Sequence, residues 1–151
     1  MSLDGKISLT DIRNTRRLAS IQKWLMESAA HLHVDRKMVS QLRGAVFEIR
    51  QGYKSKDSKR QNADLGNAAN AYTNFYLPVL GLLSIQIDSD IEYRYTRSQW
   101  LILKGSLHGS PIDSMYVFCR DILGYDLASF FKRVSPRIKN EVEAIIQALL
   151  Q

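Results

Sequence analysis

The sequence predicts an α/β fold, with α+β as the alternative, built on a small mixed sheet with an N-terminal helix and a helical C-terminal third. Over residues 45–87 a strand pattern, a helix pattern and a continuous apolar run follow one another. That order predicts a right-handed βαβ unit and a parallel pair of strands. Helical spacing of apolar residues dominates on both sides of this unit. The 151 residues fit a single domain, 1–151.

Residues 11–30 predict an amphipathic helix with Thr10 as its N-cap. Its apolar residues recur at helical spacing: Ile12, Leu18, Ile21, Trp24, Leu25 and Ala29. Asp35 then has two interpretations. It caps a short helix closed by Gly44, which the spacing of the apolar residues favours, or it is a strand residue whose carboxylate lies near Glu48.

Residues 45–53 predict a strand, because apolar and polar residues alternate there. Period two assigns alternate residues to opposite faces: Phe47, Ile49 and Tyr53 on one, and Val46, Glu48 and Arg50 on the other. Gly52 permits a bulge or bend. Asp57 or Ser58 then caps a helix that runs to about Phe75. Lys59 and Arg60 in its first turn oppose the helix dipole, which indicates an anion bound near that helix start.

The rest of the chain predicts two more strands and three helices. Residues 77–87 form an apolar run typical of a strand covered on both faces, and residues 100–103 predict another strand. Residues 91–95 fit a strand or a helix. A helix over 112–123 stops at Gly124, Asp126 caps a short one, and Ser135 with Pro136 opens the last. The apolar stripe of that last helix packs on the sheet or on a partner, which allows a homodimer: Ile138, Val142, Ile145, Ile146 and Leu149.

Composition narrows the class of partner and the compartment. The net charge is +6 and the pI is about 9.5, which favours a polyanionic partner such as nucleic acid. The single cysteine, Cys119, cannot form an internal disulfide, which indicates a reducing, cytoplasmic setting. No run approaches the roughly 18 apolar residues of a membrane span. Glycine-rich phosphate loops, serine elbows and paired-cysteine metal motifs are absent from the sequence.

Glu48 and Arg50 form the sharpest candidate for chemistry. They share one face of the predicted strand, where the carboxylate can bind a hard cation such as Mg²⁺ and the guanidinium can stabilise charge developing on a phosphate. A divalent metal held there can activate water for phosphodiester hydrolysis. The alternative is an ion pair on a sheet edge that contributes about 0–1 kcal/mol.

The run Phe47-Glu-Ile-Arg-Gln-Gly-Tyr-Lys-Ser-Lys-Asp-Ser-Lys-Arg-Gln-Asn62, followed by Tyr76-Leu-Pro-Val-Leu80, resembles the PD-(D/E)xK nuclease superfamily and restriction endonucleases in particular. The resemblance covers about residues 45–103. It implies a Mg²⁺-dependent DNA endonuclease, or a subunit or fragment of a larger enzyme.

The resemblance also implies roles for individual residues. Glu48 is the strand acid that binds metal, and Asp35 is the nearest candidate for the second acid. Glu27 matches a helical glutamate that some members add. The family's lysine falls on Arg50, which cannot act as a base and would neutralise charge or orient water. Lys54, on the same strand parity beyond Gly52, is the candidate to replace that lysine.

The basic segment after the strand predicts contact with DNA. Its cations can contact phosphates and its amides can reach base edges: Lys54, Lys56, Lys59, Arg60, Gln61 and Asn62. Two other interpretations stay open for the whole chain. One is a non-catalytic nucleic-acid-binding module that uses this segment, and the other is an interaction or oligomerisation domain built on the C-terminal helices.

Overall fold

The computed structural model describes residues 3–53 and 58–150, with the backbone alone at residues 58–61. The strands are β1 (Gly5–Ser8), β2 (Gly44–Arg50), β3 (Tyr76–Leu82) and β4 (Leu101–Leu103). The helices are α1 (Thr15–His31), α2 (Arg36–Gln41), α3 (Ser58–Thr73), α4 (Ser89–Arg97), α5 (Met115–Val117) and α6 (Leu127–Leu149).

These strands form one mixed sheet in the order β1-β2-β3-β4. β1 is antiparallel to β2, whereas β2, β3 and β4 are parallel to one another. Helix α3 connects β2 to β3, so the predicted βαβ unit and the α/β fold class are confirmed. α4 makes the same kind of connection from β3 to β4.

The sheet separates two hydrophobic cores because alternate strand residues point to opposite faces. Odd-numbered strand residues pack with α1 and the region after α5: Ala45, Phe47, Leu77, Val79, Leu101 and Leu103 against Ile21, Trp24, Leu25 and Phe118. Even-numbered residues pack with α3 and α4: Leu80 and Leu82 against Ala68, Ile91 and Tyr95. Glu48 and Arg50 therefore belong to the α3–α4 side, opposite Phe47.

In the N-terminal half, the helices and strands begin and end at other residues than predicted. α1 begins at Thr15 with Asn14 as N-cap, so Thr10 is not the cap, and Leu9–Asp11 is a 3₁₀ turn. Strand β1 was absent from the predicted elements. Gly44 belongs to β2 rather than closing α2; its φ is 154°, and a Cβ there would collide with the Ile7 carbonyl of β1. Glycine is needed for this close approach of two backbones.

The C-terminal half corrects two more expectations. The apolar run after residue 76 is a strand only to Leu82, and residues 91–95 lie in α4. α6 continues through Pro136 as one helix, so the predicted break before Pro136 is wrong. Pro136 cannot donate to the carbonyl of residue 132, and its ring crowds that carbonyl. Residues 132, 133 and 135–140 are exposed, so water can hydrogen-bond the carbonyl that the helix leaves unpaired. Gly124, with φ of 69°, does end the predicted helix, but that helix begins at Met115 and is π-helical over Phe118–Leu123.

Among the helices that the structure describes, none combines the length and apolar character needed to cross a bilayer.

Candidate functional site

Glu48 and Arg50 lie on the same face near the end of β2, as their spacing predicts. The Arg50 Nη2 atom is 3.1 Å from Glu48 Oε1. The Arg50 side chain is 11% exposed and the Glu48 side chain is 16% exposed. In the sheet register Arg50 pairs with Leu82 at the carboxyl end of the parallel strands. Ligands of open α/β sheets bind beyond this edge.

Helix α3 supplies a second carboxylate to the same nitrogen. Asp64, in the second turn of α3, is 5% exposed, and its Oδ2 atom lies 2.6 Å from Arg50 Nη2. The α3 backbone crosses the end of β2 because the βαβ connection folds it back onto the sheet. One guanidinium nitrogen thus contacts the carboxylates of Glu48 and Asp64, which makes these two acids immediate neighbours.

Two tyrosines hold the Asp64 carboxylate from its other side. The Tyr53 hydroxyl donates to Asp64 Oδ2 at 3.3 Å, and the Tyr95 hydroxyl donates to the same atom. The two hydroxyl oxygens are 3.0 Å apart. Burial raises the pKa of both tyrosines, and the hydrogen bond to Asp64 raises the pKa of Tyr95 further. Both phenols therefore stay protonated and remain donors at neutral pH.

Tyr53 also supports Arg50 through its ring. The guanidinium carbon lies 4.4 Å from the ring centroid, a cation–π contact in a partly desolvated place. Gly52 allows the chain to bend so that Tyr53 N–H donates to the Gln86 carbonyl at 2.7 Å and Tyr53 pairs with Ile87. A Cβ at Gly52 would lie 2.9 Å from Ser84 Oγ. The chain bends at Gln51, beside Gly52, so Tyr53 lies on the same side of the sheet as Arg50; the prediction that Tyr53 shares the face of Phe47 and Ile49 is wrong.

We call Glu48, Arg50, Tyr53, Asp64 and Tyr95 the acid cluster. The structure does not bring Asp35 to it. Asp35 is the N-cap of α2, accepting from Lys37 N–H at 2.9 Å, so the cap interpretation is correct.

Asp35 and Glu27 lie elsewhere in the fold. The chain beside Asp35 is tied to Gln99, which precedes β4 and donates to the His33 carbonyl at 3.3 Å, so Asp35 lies towards the amino ends of the parallel strands. Glu27 is on α1, behind the opposite sheet face, where it pairs with Lys23 at 3.7 Å. Neither carboxylate joins Glu48.

The basic segment is described in part. Lys54 and Lys56 lie outside the described residues, whereas Lys59, Arg60 and Gln61 occupy the first turn of α3, as predicted. Asn62 is exposed and its Oδ1 accepts from Arg94 Nη2 on α4 at 3.4 Å. Asn62 of α3 and Arg94 of α4 therefore meet at the protein surface, one residue after the first turn of α3.

Sequence reasoning missed Asp64 and Tyr95, although the chain carries a signal for both. Asp64, Ala68 and Ala71 are buried positions at spacings of four and three on one helix face. A carboxylate on a buried helical stripe is rarely tolerated without a partner, which identifies Asp64 as a paired acid. Tyr95 lies four residues after buried Ile91 in the same way.

Searches with protein-family models, among curated proteins and among solved structures find no match to this chain.

Proposed function

We propose that this chain is a magnesium-dependent DNA endonuclease of restriction type, or a subunit of one, whose acidic pair is Glu48 and Asp64. The observation that carries the proposal is the shared contact of both carboxylates with Arg50 Nη2. In this proposal Asp64 takes the role of the second acid, which the resemblance assigns to Asp35. The pair lies at the carboxyl end of parallel strands, the edge where ligands of such sheets bind.

The donor set fits magnesium. Mg²⁺ prefers carboxylate oxygen and is commonly bound by one or two carboxylates, with water and substrate phosphate completing its shell. Glu48 and Asp64, which share a contact with Arg50 Nη2, would supply this two-carboxylate kind of site. The ion would supply Lewis acidity and a more acidic bound water.

The other members of the acid cluster orient these carboxylates. Tyr53 and Tyr95 donate to Asp64 and fix its direction, as outer hydrogen bonds do around metal ligands. Arg50 cannot take a proton at neutral pH, so it serves as an electrostatic group that partly neutralises the acids and can contact a phosphate oxygen. Its stacking on Tyr53 limits its rotation.

Charge supports DNA as the substrate. The chain carries a net charge of +6, and the sequence between β2 and α3 is rich in lysine. Lys59 and Arg60 lie in the first turn of α3, where cations oppose the helix dipole unless an anion is bound nearby. A DNA phosphate at this helix start lies on the same side of the fold as the acid cluster, because Asp64 belongs to the next turn of α3.

The test is nicking of supercoiled plasmid with Mg²⁺ or Mn²⁺. We expect Glu48→Gln to reduce nicking at least about 100-fold, the usual scale for losing one transition-state electrostatic contact. Asp35→Asn is the matched control, because it makes the same chemical change at a carboxylate outside the acid cluster and asparagine is an equally good N-cap. DNA binding without cleavage in every divalent metal would overturn the proposal.

A second candidate is a nucleic-acid-binding module without catalysis. Two observations favour it. Arg50 stands where the nuclease superfamily that the chain resembles has a lysine, and its guanidinium already pairs with the carboxylates of Glu48 and Asp64. Its affinity for DNA should fall steeply as the salt concentration rises. The double variant Lys59→Ala with Arg60→Ala should reduce the slope of log affinity against log salt concentration by about two, the value expected for losing two phosphate contacts. Unchanged salt dependence in the double variant would reject this candidate.

A further inference from the structure

A cleft of about 490 Å³, which we call the α6 cleft, lies between the first turns of α6 and the segments that follow β4. Its apolar lining comes from Leu107, Tyr116, Ala128 and Phe131. The Tyr116 and Phe131 rings are partly exposed, with centroids 6.4 Å apart and planes inclined by 60°. Clefts of roughly 300–1,000 Å³ that combine an apolar lining with a few polar groups are typical binding sites for small ligands. The size and the lining of the α6 cleft therefore fit a ligand with an aromatic ring.

The α6 cleft lies against the carboxyl end of the parallel strands. The Tyr116 hydroxyl donates to the Leu83 carbonyl at 3.1 Å, and Leu83 directly follows β3. Leu83 N–H donates in turn to the Arg50 carbonyl at 2.8 Å. Ligands of open α/β sheets bind beyond this edge. Leu127 at the start of α6 packs on the larger core, so the α6 cleft and the acid cluster share one edge of the sheet but lie towards opposite faces.

The charged groups of the α6 cleft leave one cation for an anionic ligand. Arg120 donates through Nε and Nη2 to the Asp121 carboxylate at 2.6 and 3.2 Å, so its charge is already matched. Asp126 is the N-cap of α6 and accepts from the Ser129 N–H and hydroxyl at 2.9 and 2.6 Å. The partial positive charge at the N-terminus of α6 offsets this carboxylate. Lys132 also lines the cleft, is exposed and has no ion pair among the described residues.

We propose that the α6 cleft binds one unpaired nucleotide of a nucleic-acid strand. A base is planar and stacks on an aromatic ring whatever its sequence. A base stacked on Tyr116 or Phe131 meets the other ring edge-on, which is a favourable aromatic arrangement. Each phosphate of the strand carries one negative charge, which the ammonium group of Lys132 matches. The net charge of +6 favours the same class of partner.

The first test compares a short oligothymidylate with an abasic oligomer of the same length by titration calorimetry in EDTA. Both ligands carry the same phosphates, so a difference in affinity reports the bases alone. We expect the oligothymidylate to bind at least about fivefold more tightly, the lower end of the range for stacking one base. Equal affinities, or no binding of either ligand, overturn the proposal. Thymidine monophosphate that binds as tightly as the oligomer also overturns it, because the cleft would then hold free nucleotides.

The inference rests on the nucleic-acid partner of the proposed function, but not on metal or cleavage. Plasmid nicking is measured separately, so the two can fail independently. Equal affinities, together with nicking that Glu48→Gln abolishes, would reject the α6 cleft and keep the endonuclease. A preference for the oligothymidylate without any nicking would keep the cleft and reject the endonuclease.

Paired variants test the ring. Phe131→Leu removes one of the two rings and should lower the preference for the oligothymidylate at least about threefold. Phe130→Leu is the matched control, because it makes the same change at the neighbouring ring, which packs on Tyr125 and does not line the cleft. Tyr116→Phe keeps its ring and should keep the preference. Circular dichroism must show that all three variants are folded. A preference that survives Phe131→Leu, or is lost equally in Phe130→Leu, contradicts the proposal.

A second pair of variants tests the phosphate contact. Lys132→Gln should reduce the slope of log affinity against log salt concentration by about 0.7, the value for one phosphate of a single strand. Arg133→Gln removes the same charge from the next residue, which is exposed and does not line the cleft, and should leave that slope unchanged. The preference for bases should persist in both variants, since both keep the two rings. Equal slopes in the two variants would contradict a phosphate at Lys132.

Discussion

Arg50 at the end of β2 and Asp64 in the second turn of α3 are joined by a 2.6 Å ion pair with both side chains largely buried. The pair joins α3 to the end of β2, and the same nitrogen of Arg50 reaches Glu48. The contact links the fold to the proposed chemistry, since it sets the positions of both acids.

Asp64→Asn should lower the free energy of unfolding by about 2–3 kcal/mol. Breaking a buried pair costs roughly 3–5 kcal/mol when the remaining charge is left alone, and here Glu48 still contacts Arg50. Urea unfolding followed by circular dichroism measures the change. Asp35→Asn, at an exposed helix cap, should unfold like the wild type. An Asp64→Asn protein with wild-type stability would show that the pair is energetically neutral.

Arg50→Gln should make the stability of the protein responsive to divalent cations. The substitution removes the cation that Glu48 and Asp64 share, so Mg²⁺ or Mn²⁺ can bind the two acids without competing with it. The melting temperature of Arg50→Gln should rise with added Mn²⁺ more than that of the wild type, because a ligand of the native state stabilises it. Equal responses would count against a metal site at the acid cluster.

Alkaline pH should destabilise the protein through its buried tyrosines. Burial raises the pKa of Tyr53, Tyr72 and Tyr95 above the ordinary value near 10. The folded state therefore holds these protons more tightly than the unfolded chain does. The resulting stability is complete below about pH 10 and is lost as the pH rises above it.

Tyr95→Phe isolates one of these groups. Its free energy of unfolding should decline less steeply above pH 10 than that of the wild type, although it starts about 1–3 kcal/mol lower because Asp64 loses a donor. Chemical unfolding at a series of pH values measures both effects. Parallel pH profiles for the two proteins would contradict the assignment.

Two glycines should respond to alanine in opposite ways. Gly44→Ala should destabilise by more than about 1 kcal/mol, because φ is 154° and a Cβ would meet the β1 backbone. Gly66→Ala should stabilise by up to about 1 kcal/mol, because Gly66 lies inside α3 with nothing within 4 Å of an added Cβ. Thermal unfolding compares them. Equal effects would mean that neither backbone environment is as described.

The elements that could be predicted from sequence are those whose periodicity is local. β2, α3 and the parallel β3 follow from alternation, helical spacing and a continuous apolar run, and the cap role of Asp35 follows from the residues after it. β1 could not be found this way, since its four residues gain their structure by pairing with β2. α6 continues through Pro136, although Ser135 followed by Pro136 is the local pattern of a helix start.

The acid cluster was predictable only within one strand. Glu48 and Arg50 are two residues apart, so period two places them together. Asp64 reaches them through a crossover connection, and Tyr95 comes from a different helix again. The spacing of Asp64 with Ala68 and Ala71 marks a buried carboxylate but does not identify its partners, which it meets where α3 and α4 pack on the sheet.

The sheet divides the apolar interior, and this division has a consequence for how the molecule opens. Asp64 and Tyr95 belong to the α3–α4 layer, while Phe47, Trp24 and Phe118 stack in the opposite core. Partial unfolding of proteins follows such cooperative units. A fluctuation that lifts α3 and α4 would separate Asp64 from Arg50 and hydrate both, while β2 stays supported from behind by α1. Local opening of the α3–α4 layer, without global unfolding, would therefore be enough to let water reach Glu48 and Asp64.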